Sequence, residues 1–157
     1  MDSANKDGVL VGQVAVITGG SEGIGRGIAE AMGLAGATVV VTSRRESAVA
    51  AAEKELAALG IEAAGIAADV RDEASVGALV RTVADRFGGI DVLVNSAGGS
   101  FNEDFGRGPV LELRPEDLLE AYRLNVVGSF IAIKAAAPYL SARNGSVVNV
   151  TGGTAGD

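Results

Sequence analysis

At 157 residues the chain is long enough for one core and too short for two ordinary domains, so a single domain is expected. Its formal charge of −7 argues against nucleic acid or an anionic membrane as a general partner. With neither Cys nor His present, disulfides, thiolate chemistry, the commonest general base and the commonest metal ligands are excluded.

Residues 1–12 are polar and without periodicity, which reads as a flexible leader. No basic-then-apolar signal pattern and no apolar run of membrane-spanning length stand out, so a cytoplasmic location is the default. Gln13 to Thr18 is the first strand, its aliphatic run being that of a parallel strand buried on both faces. It empties into Gly19-Gly20-Ser21-Glu22-Gly23-Ile24-Gly25, a glycine-rich turn that opens a helical pattern. Glycines there allow a tight turn, a close approach of backbone to a pyrophosphate, and close packing of helix on strand. Free N–H groups and the helix dipole then favour an anion.

Ile28, Ala31, Met32 and Ala35 follow helical spacing, with Gly36 placed to close the helix. Thr38 to Thr42 is β-branched and short, hence a second strand. Val49, Ala52, Leu56 and Leu59 mark one face of a helix closed by Gly60, and Ile61 to Ala68 supplies a third strand. Asp72 caps a helix with inner face Val76, Leu79, Val80, Val83 and Phe87, ended by Gly88-Gly89. Ile90 to Val94 is a fourth strand. A long glycine-rich loop from Gly98 to about Leu111 follows, and long loops in compact domains are often functional. Pro115 suits the first turn of a helix running to about Pro138, although Arg114 is a poor cap. Gly145 to Thr151 is the fifth strand. This alternation predicts an α/β, Rossmann-like, doubly wound parallel sheet of order 3-2-1-4-5, formed by residues 13–157.

The second strand ends in Ser43-Arg44-Arg45, where the general dinucleotide fold carries an acidic residue for the adenosine ribose. A guanidinium forms two charge-assisted hydrogen bonds with a 2′-phosphate, and a carboxylate would repel it. NADP(H) is therefore expected over NAD(H), with Glu22 a complication because it lies in the turn near the same phosphate. An ATP-type loop is not supported, since no Gly-Lys-Ser/Thr follows the glycines, and no metal-ligand spacing stands out.

The wording from Thr18 to Gly25, Thr-Gly-x-x-x-Gly-Ile-Gly, resembles the nucleotide turn of the short-chain dehydrogenase/reductase family, including its 3-oxoacyl-ACP-reductase-like members. Three further places extend the resemblance from about Val11 to the last residue: Asp69-Val70, Asn95-Ser96-Ala97-Gly98, and Asn125 between Leu124 and Val126. It implies that Asp69 accepts from the exocyclic amine of adenine, that Asn95 steadies the sheet, and that Ala97 and Gly98 pass close to the adenosine. It implies for Asn125 a catalytic part, holding a water on the proton relay.

The activity implied is hydride transfer between a nicotinamide and the carbon of a small carbonyl or alcohol. In the family a Ser orients the substrate oxygen, a Tyr passes the proton and a Lys four residues later lowers the Tyr pKa. None of the three can be placed here. The Ser position aligns with Gly152, the nearest hydroxyls are Thr151 and Thr154, and the Tyr-x-x-x-Lys is expected beyond Asp157. Tyr122 and Tyr139 are read as packing residues and Lys134 as a helix-surface charge.

The expectation is thus the amino-terminal part of a longer reductase, inactive alone. Its fifth strand would be an exposed apolar edge for want of strands six and seven. A homo-oligomer is expected of the longer chain, and otherwise a partner chain covering that strand. The alternative is a non-catalytic dinucleotide-binding module or one subunit of a split assembly. The loop 99–108, with Phe101, Phe105 and Arg107, is expected on the substrate side.

Overall fold

The computed structural model describes residues 8–99 and 109–152. Short aliphatic runs bounded by glycine and polar residues become strands β1 (Val14–Thr18), β2 (Thr38–Ser43), β3 (Ala63–Ala67), β4 (Val92–Asn95) and β5 (Ser146–Asn149). Between them lie helices α1 (Gly23–Leu34), α2 (Glu46–Ala58) and α3 (Glu73–Phe87), followed after β4 by α4 (Pro115–Tyr122) and α5 (Gly128–Ala142). The strands form one parallel sheet of order β3-β2-β1-β4-β5, as the alternation predicts.

Strand alternation sends Val14, Val16, Val40 and Leu93 to one face, where they meet Val76, Leu79 and Val83 of α3 and Ile131, Ala136 and Leu140 of α5. Ala15, Ile17, Val39, Val41 and Val94 face the other way, against Ala29 of α1 and Ala52 and Leu56 of α2. Both faces are therefore dry. A strand covered on both sides needs no polar alternation, so β1 reads as one unbroken apolar run.

Helix ends follow local chemistry. The Asp72 carboxylate accepts from the backbone N–H groups of Ala74 and Ser75, and Gly88 closes α3 with φ 82°. Arg114 serves better as a cap than its type suggests. Asp117, three residues on, accepts from the Arg114 backbone N–H at 3.0 Å and from its guanidinium at 2.9 Å, so the acid supplies what the cap residue lacks.

Several local expectations are corrected by packing. Residues 8–12 of the expected leader fold onto the domain: the Leu10 N–H donates to the Ala35 carbonyl at 3.0 Å and its side chain packs on the core, while residues 1–7 lie outside the described residues. In α1 the inner face is Gly25, Ile28, Ala29 and Met32, and Ala31 is exposed because the strand lies against the 25–29–32 ridge. Leu59 sits at the C-cap of α2, half exposed, off the Val49–Ala52–Leu56 face. Tyr122 is 56% exposed and is no packing residue, whereas Tyr139 packs on the core as expected.

The last helix also differs. It runs from Pro115 to Ala142 without a break, passing through a π-helical turn at Arg123–Val127 and through Pro138. Burial of Ala136 and Leu140 on one ridge carries the helix past the proline, outweighing one missing hydrogen bond. At 28 residues, with a window of mean hydropathy 1.3, it is long and apolar enough to cross a membrane, contrary to the expectation that no such run exists. Here its apolar side chains Ile131, Ala132, Ala136 and Leu140 pack on α3 and β4.

At the edge of the described sheet, β5 pairs with β4 and leaves Val147 and Val148 39% and 48% exposed.

Candidate functional site

Register aligns the carboxyl ends of the strands. Thr18 is level with Thr42 on one side and Asn95 on the other, and Asn95 is level with Asn149. A polar row thus closes β2, β1, β4 and β5 where the sheet meets its loops. Sheet order reverses between β1 and β4, and open α/β sheets bind ligands in the crevice at such a point.

Thr18 holds that crevice together. Its hydroxyl accepts from the backbone N–H groups of Ser96 and Ala97 at 3.2 and 3.1 Å, fastening the end of β1 to the loop after β4. Asn95 is buried and donates through Nδ2 to Asn149 Oδ1 at 2.8 Å, while its own Oδ1 is buried without a partner. That bond ties the end of β4 to the end of β5. In the sequence Thr18 stands only as the first residue of the Thr18–Gly25 motif, and a hydroxyl ending a buried strand just before a glycine turn is the signal of this tying role.

The turn that follows has little room on one side and open space on the other. A Cβ on Gly25 would lie 2.4 Å from the Gly19 carbonyl oxygen, so α1 seats on the turn only with glycine there. Gly23, at φ 57°, would direct a Cβ at nothing within 4 Å. Backbone is therefore bare toward the crevice at the start of α1, where the dipole and unpaired N–H groups favour an anion. These features fit a dinucleotide pyrophosphate.

Two adjoining cavities open over this edge. The larger, of about 1080 Å³, reaches the upper end of the roughly 300–1,000 Å³ range of small-ligand sites. Gly19, Ser21, Glu22, Gly23, Ile24 and Gly25 line it on one side; Ser43, Asn95, Ala97, Gly98 and Asn125 complete the expected set around it. The smaller, of about 160 Å³, is lined by Arg44, Arg45, Asp69 and Val70 with Gly19, Glu22, Ser43, Ala97 and Gly98. Every site residue expected from the sequence lines one of the two. The larger cavity is also lined by Ser96 and by Asp117, Leu118, Val126 and Ser129 of the long helix, none of them among the expected site residues; nothing in a helical pattern marks which helix positions face a neighbouring loop. Thr151 and Gly152 reach its far end; Thr154 and the stretch from Phe101 to Arg107 lie outside the described residues.

Asn125 stands in the π-helical turn. Its Nδ2 donates to the carbonyls of Ala121 and Gly99 at 2.8 and 2.9 Å, and its Oδ1 accepts from the Gly99 N–H at 3.0 Å. The side chain clamps the loop after β4 to the helix. A widened turn leaves carbonyls available to such a partner, and turns of this kind recur at functional sites.

At the other end Asp69 accepts from the Arg71 backbone N–H at 2.9 Å and from its guanidinium at 2.7 Å, and Arg71 also reaches Glu120 of α4 at 3.5 Å. The hydrogen bonds from Arg71 hold the Asp69 carboxyl below its ordinary 3.8, with partial burial opposing and Arg44 adding a smaller favourable charge. A folded pKa below the unfolded one adds stability that is present above the unfolded value and lost as pH falls through the folded one. Asp69→Asn is thus expected to be less stable than the parent at pH 6, by a margin that narrows at pH 3. Urea unfolding at both pH values checks this; a difference that does not shrink in acid refutes the linkage.

Sheet order, switch-point crevice, glycine turn and paired cavities define a dinucleotide-binding α/β domain. The short chain dehydrogenase family model matches residues 13–156, and the chain belongs to that family. It is 34% identical over 160 residues to the peroxisomal 2,4-dienoyl-CoA reductase of Arabidopsis thaliana, covering 96% of this chain and 52% of the relative. It is 36% identical to the 3-oxoacyl-[acyl-carrier-protein] reductase of a Synechocystis strain, covering 90% of this chain and 56% of the relative. Among solved structures, a citronellol catabolism dehydrogenase of Pseudomonas aeruginosa superposes with TM-score 0.81 at 31% identity, over 95% of this chain and 59% of that one. An actinorhodin polyketide ketoreductase solved with NADPH gives TM-score 0.79 at 35% identity, over 94% and 54%. The chain spans about half the length of the curated relatives it matches.

Proposed function

We propose that these residues form the coenzyme-binding part of an NADPH-dependent oxidoreductase that interconverts a small carbonyl and its alcohol. The observation that carries this reading is the meeting of the glycine turn with Arg44 and Arg45 around one small cavity at the carboxyl ends of β1 and β2. The bound coenzyme supplies or accepts the hydride. Ser21, Gly23, Ile24 and Gly25 hold its pyrophosphate at the start of α1, and Ser43, Arg44 and Arg45 its 2′-phosphate. Asp69 and Val70 take the adenine, with Asn95, Ala97 and Gly98 beside the adenosine. Asn125 positions the loop after β4 and holds the relay water.

The substrate end is the part of the larger cavity lined by Leu118, Ser129, Thr151 and Gly152. Family membership and the ketoreductase solved with NADPH support the coenzyme choice. A cytoplasmic, membrane-free location goes with the net charge of −7. Oligomer formation is supported by Tyr122 and Phe130, exposed aromatic side chains of the same long helix that line neither cavity.

Fluorescence titration with NADPH and NADH tests the main reading, using protein expressed over its whole native reading frame. NADPH is expected to bind more tightly. Replacing both Arg44 and Arg45 with Ala should weaken NADPH by about 10- to 100-fold, as loss of charge-assisted bonds worth roughly 1.5–3 kcal/mol predicts, and move NADH by less than about twofold. Tighter binding of NADH, or equal loss of both, refutes it.

A further inference from the structure

Glu22 belongs to the glycine turn and Arg45 is the N-cap of α2, yet Arg45 Nη2 donates to Glu22 Oε2 at 3.0 Å. Both line the smaller cavity, together with Ser43, Arg44 and Asp69. The two side chains are 75% and 64% exposed, and a pair so open to water adds little to folding. Its consequence lies in what Arg45 is able to bind.

We infer that Glu22 determines coenzyme selectivity: it is a built-in counter-ion that competes with the 2′-phosphate for Arg45 and so narrows the preference for NADPH over NADH. This rests on the function proposed above. A 2′-phosphate must share the Arg45 guanidinium with Glu22 or draw it away, and in either case it sits beside a carboxylate that repels it. An unphosphorylated ribose displaces nothing, and its hydroxyl can donate to the same carboxylate. The other charges at this end leave that competition in place. Arg44 stays on the attractive side of the balance, while Asp69 is engaged by Arg71 at 2.7 Å. One carboxylate therefore penalises the phosphorylated coenzyme alone.

The test is Glu22→Gln, which keeps size and hydrogen-bonding capacity and removes the charge, titrated with NADPH and with NADH beside the parent protein. NADPH is expected to tighten by roughly three- to tenfold, with NADH held within about twofold, and the gain should largely vanish near 1 M salt, where the screening length is about 3 Å. A purely structural role for Glu22 would move both coenzymes together. Unchanged NADPH affinity, a parallel shift of both, or a gain indifferent to salt overturns the inference. Failure of the parent protein to bind either coenzyme, or indifference of NADPH to removal of Arg44 and Arg45, overturns the underlying functional reading instead.

Discussion

Gly25→Ala is expected to weaken NADPH binding by roughly 10- to 100-fold and to lower stability by about 1–3 kcal/mol. The added methyl would stand 2.4 Å from the Gly19 carbonyl oxygen and 2.9 Å from its carbon, and both are backbone atoms that no rotamer change can move. Either α1 lifts from the turn or the turn shifts, and in both cases the N–H groups proposed to hold the pyrophosphate are displaced. Losing one charge-assisted hydrogen bond of roughly 1.5–3 kcal/mol accounts for the affinity change. Gly27→Ala is the control. A Cβ there meets nothing within 4 Å, and alanine in a helix interior stabilises by about 0.5–1 kcal/mol relative to glycine. Titration and thermal unfolding of the two variants decide the matter. Equal NADPH affinity in Gly25→Ala and the parent would show that the close seat of α1 does not shape the site.

Asn95→Asp is expected to cost about 3–5 kcal/mol near neutral pH, a large share of a typical domain stability of roughly 5–15 kcal/mol. Asn95 is 3% exposed and donates to Asn149 at 2.8 Å. An ionised carboxylate has no proton to donate there and no counter-charge among the contacts described for Asn95. Burial raises the pKa of such a carboxyl, so the neutral acid persists in the folded state to higher pH than in the unfolded chain. A folded value above the unfolded one contributes stability that is present at low pH and lost as pH rises through the folded value. The deficit of the variant against the parent should therefore be smaller at pH 5 than at pH 8 in urea unfolding. A deficit that is constant across that range, or below about 1 kcal/mol, would remove Asn95 from its place as the buried polar tie between β4 and β5.

These two residues differ in how far the sequence reveals them. Gly25 is legible because its spacing from Thr18 and Gly19 states a local demand: a strand, a turn and a helix start within eight residues. Asn95 is legible only through the family resemblance, since its partner lies 54 residues away on another strand. Contacts of that separation leave no periodic trace. The same holds for Thr18, whose hydroxyl reaches Ser96 and Ala97 across the switch point, and for the meeting of Glu22 with Arg45.

Element identity survives where burial on two faces imposes a long apolar run or a clear helical ridge, as in β1 and α3. Errors gather where one residue sits at a boundary between competing demands. Leu59 is apolar yet falls one position past its helix, and Pro138 stops nothing because Ala136 and Leu140 are already anchored in the core.

By itself the sequence determined the alternation of strands and helices, the sheet order and the glycine turn between β1 and α1, because periodicity, glycine placement and right-handed crossovers are local or topological rules. Only the tertiary structure decided which side chains share a cavity, that Asn125 clamps Gly99, and that Arg45 pairs with Glu22. The physical reason is range. Backbone preferences act over a few residues, whereas electrostatic and hydrogen-bond partners are chosen by which loops the sheet register brings side by side.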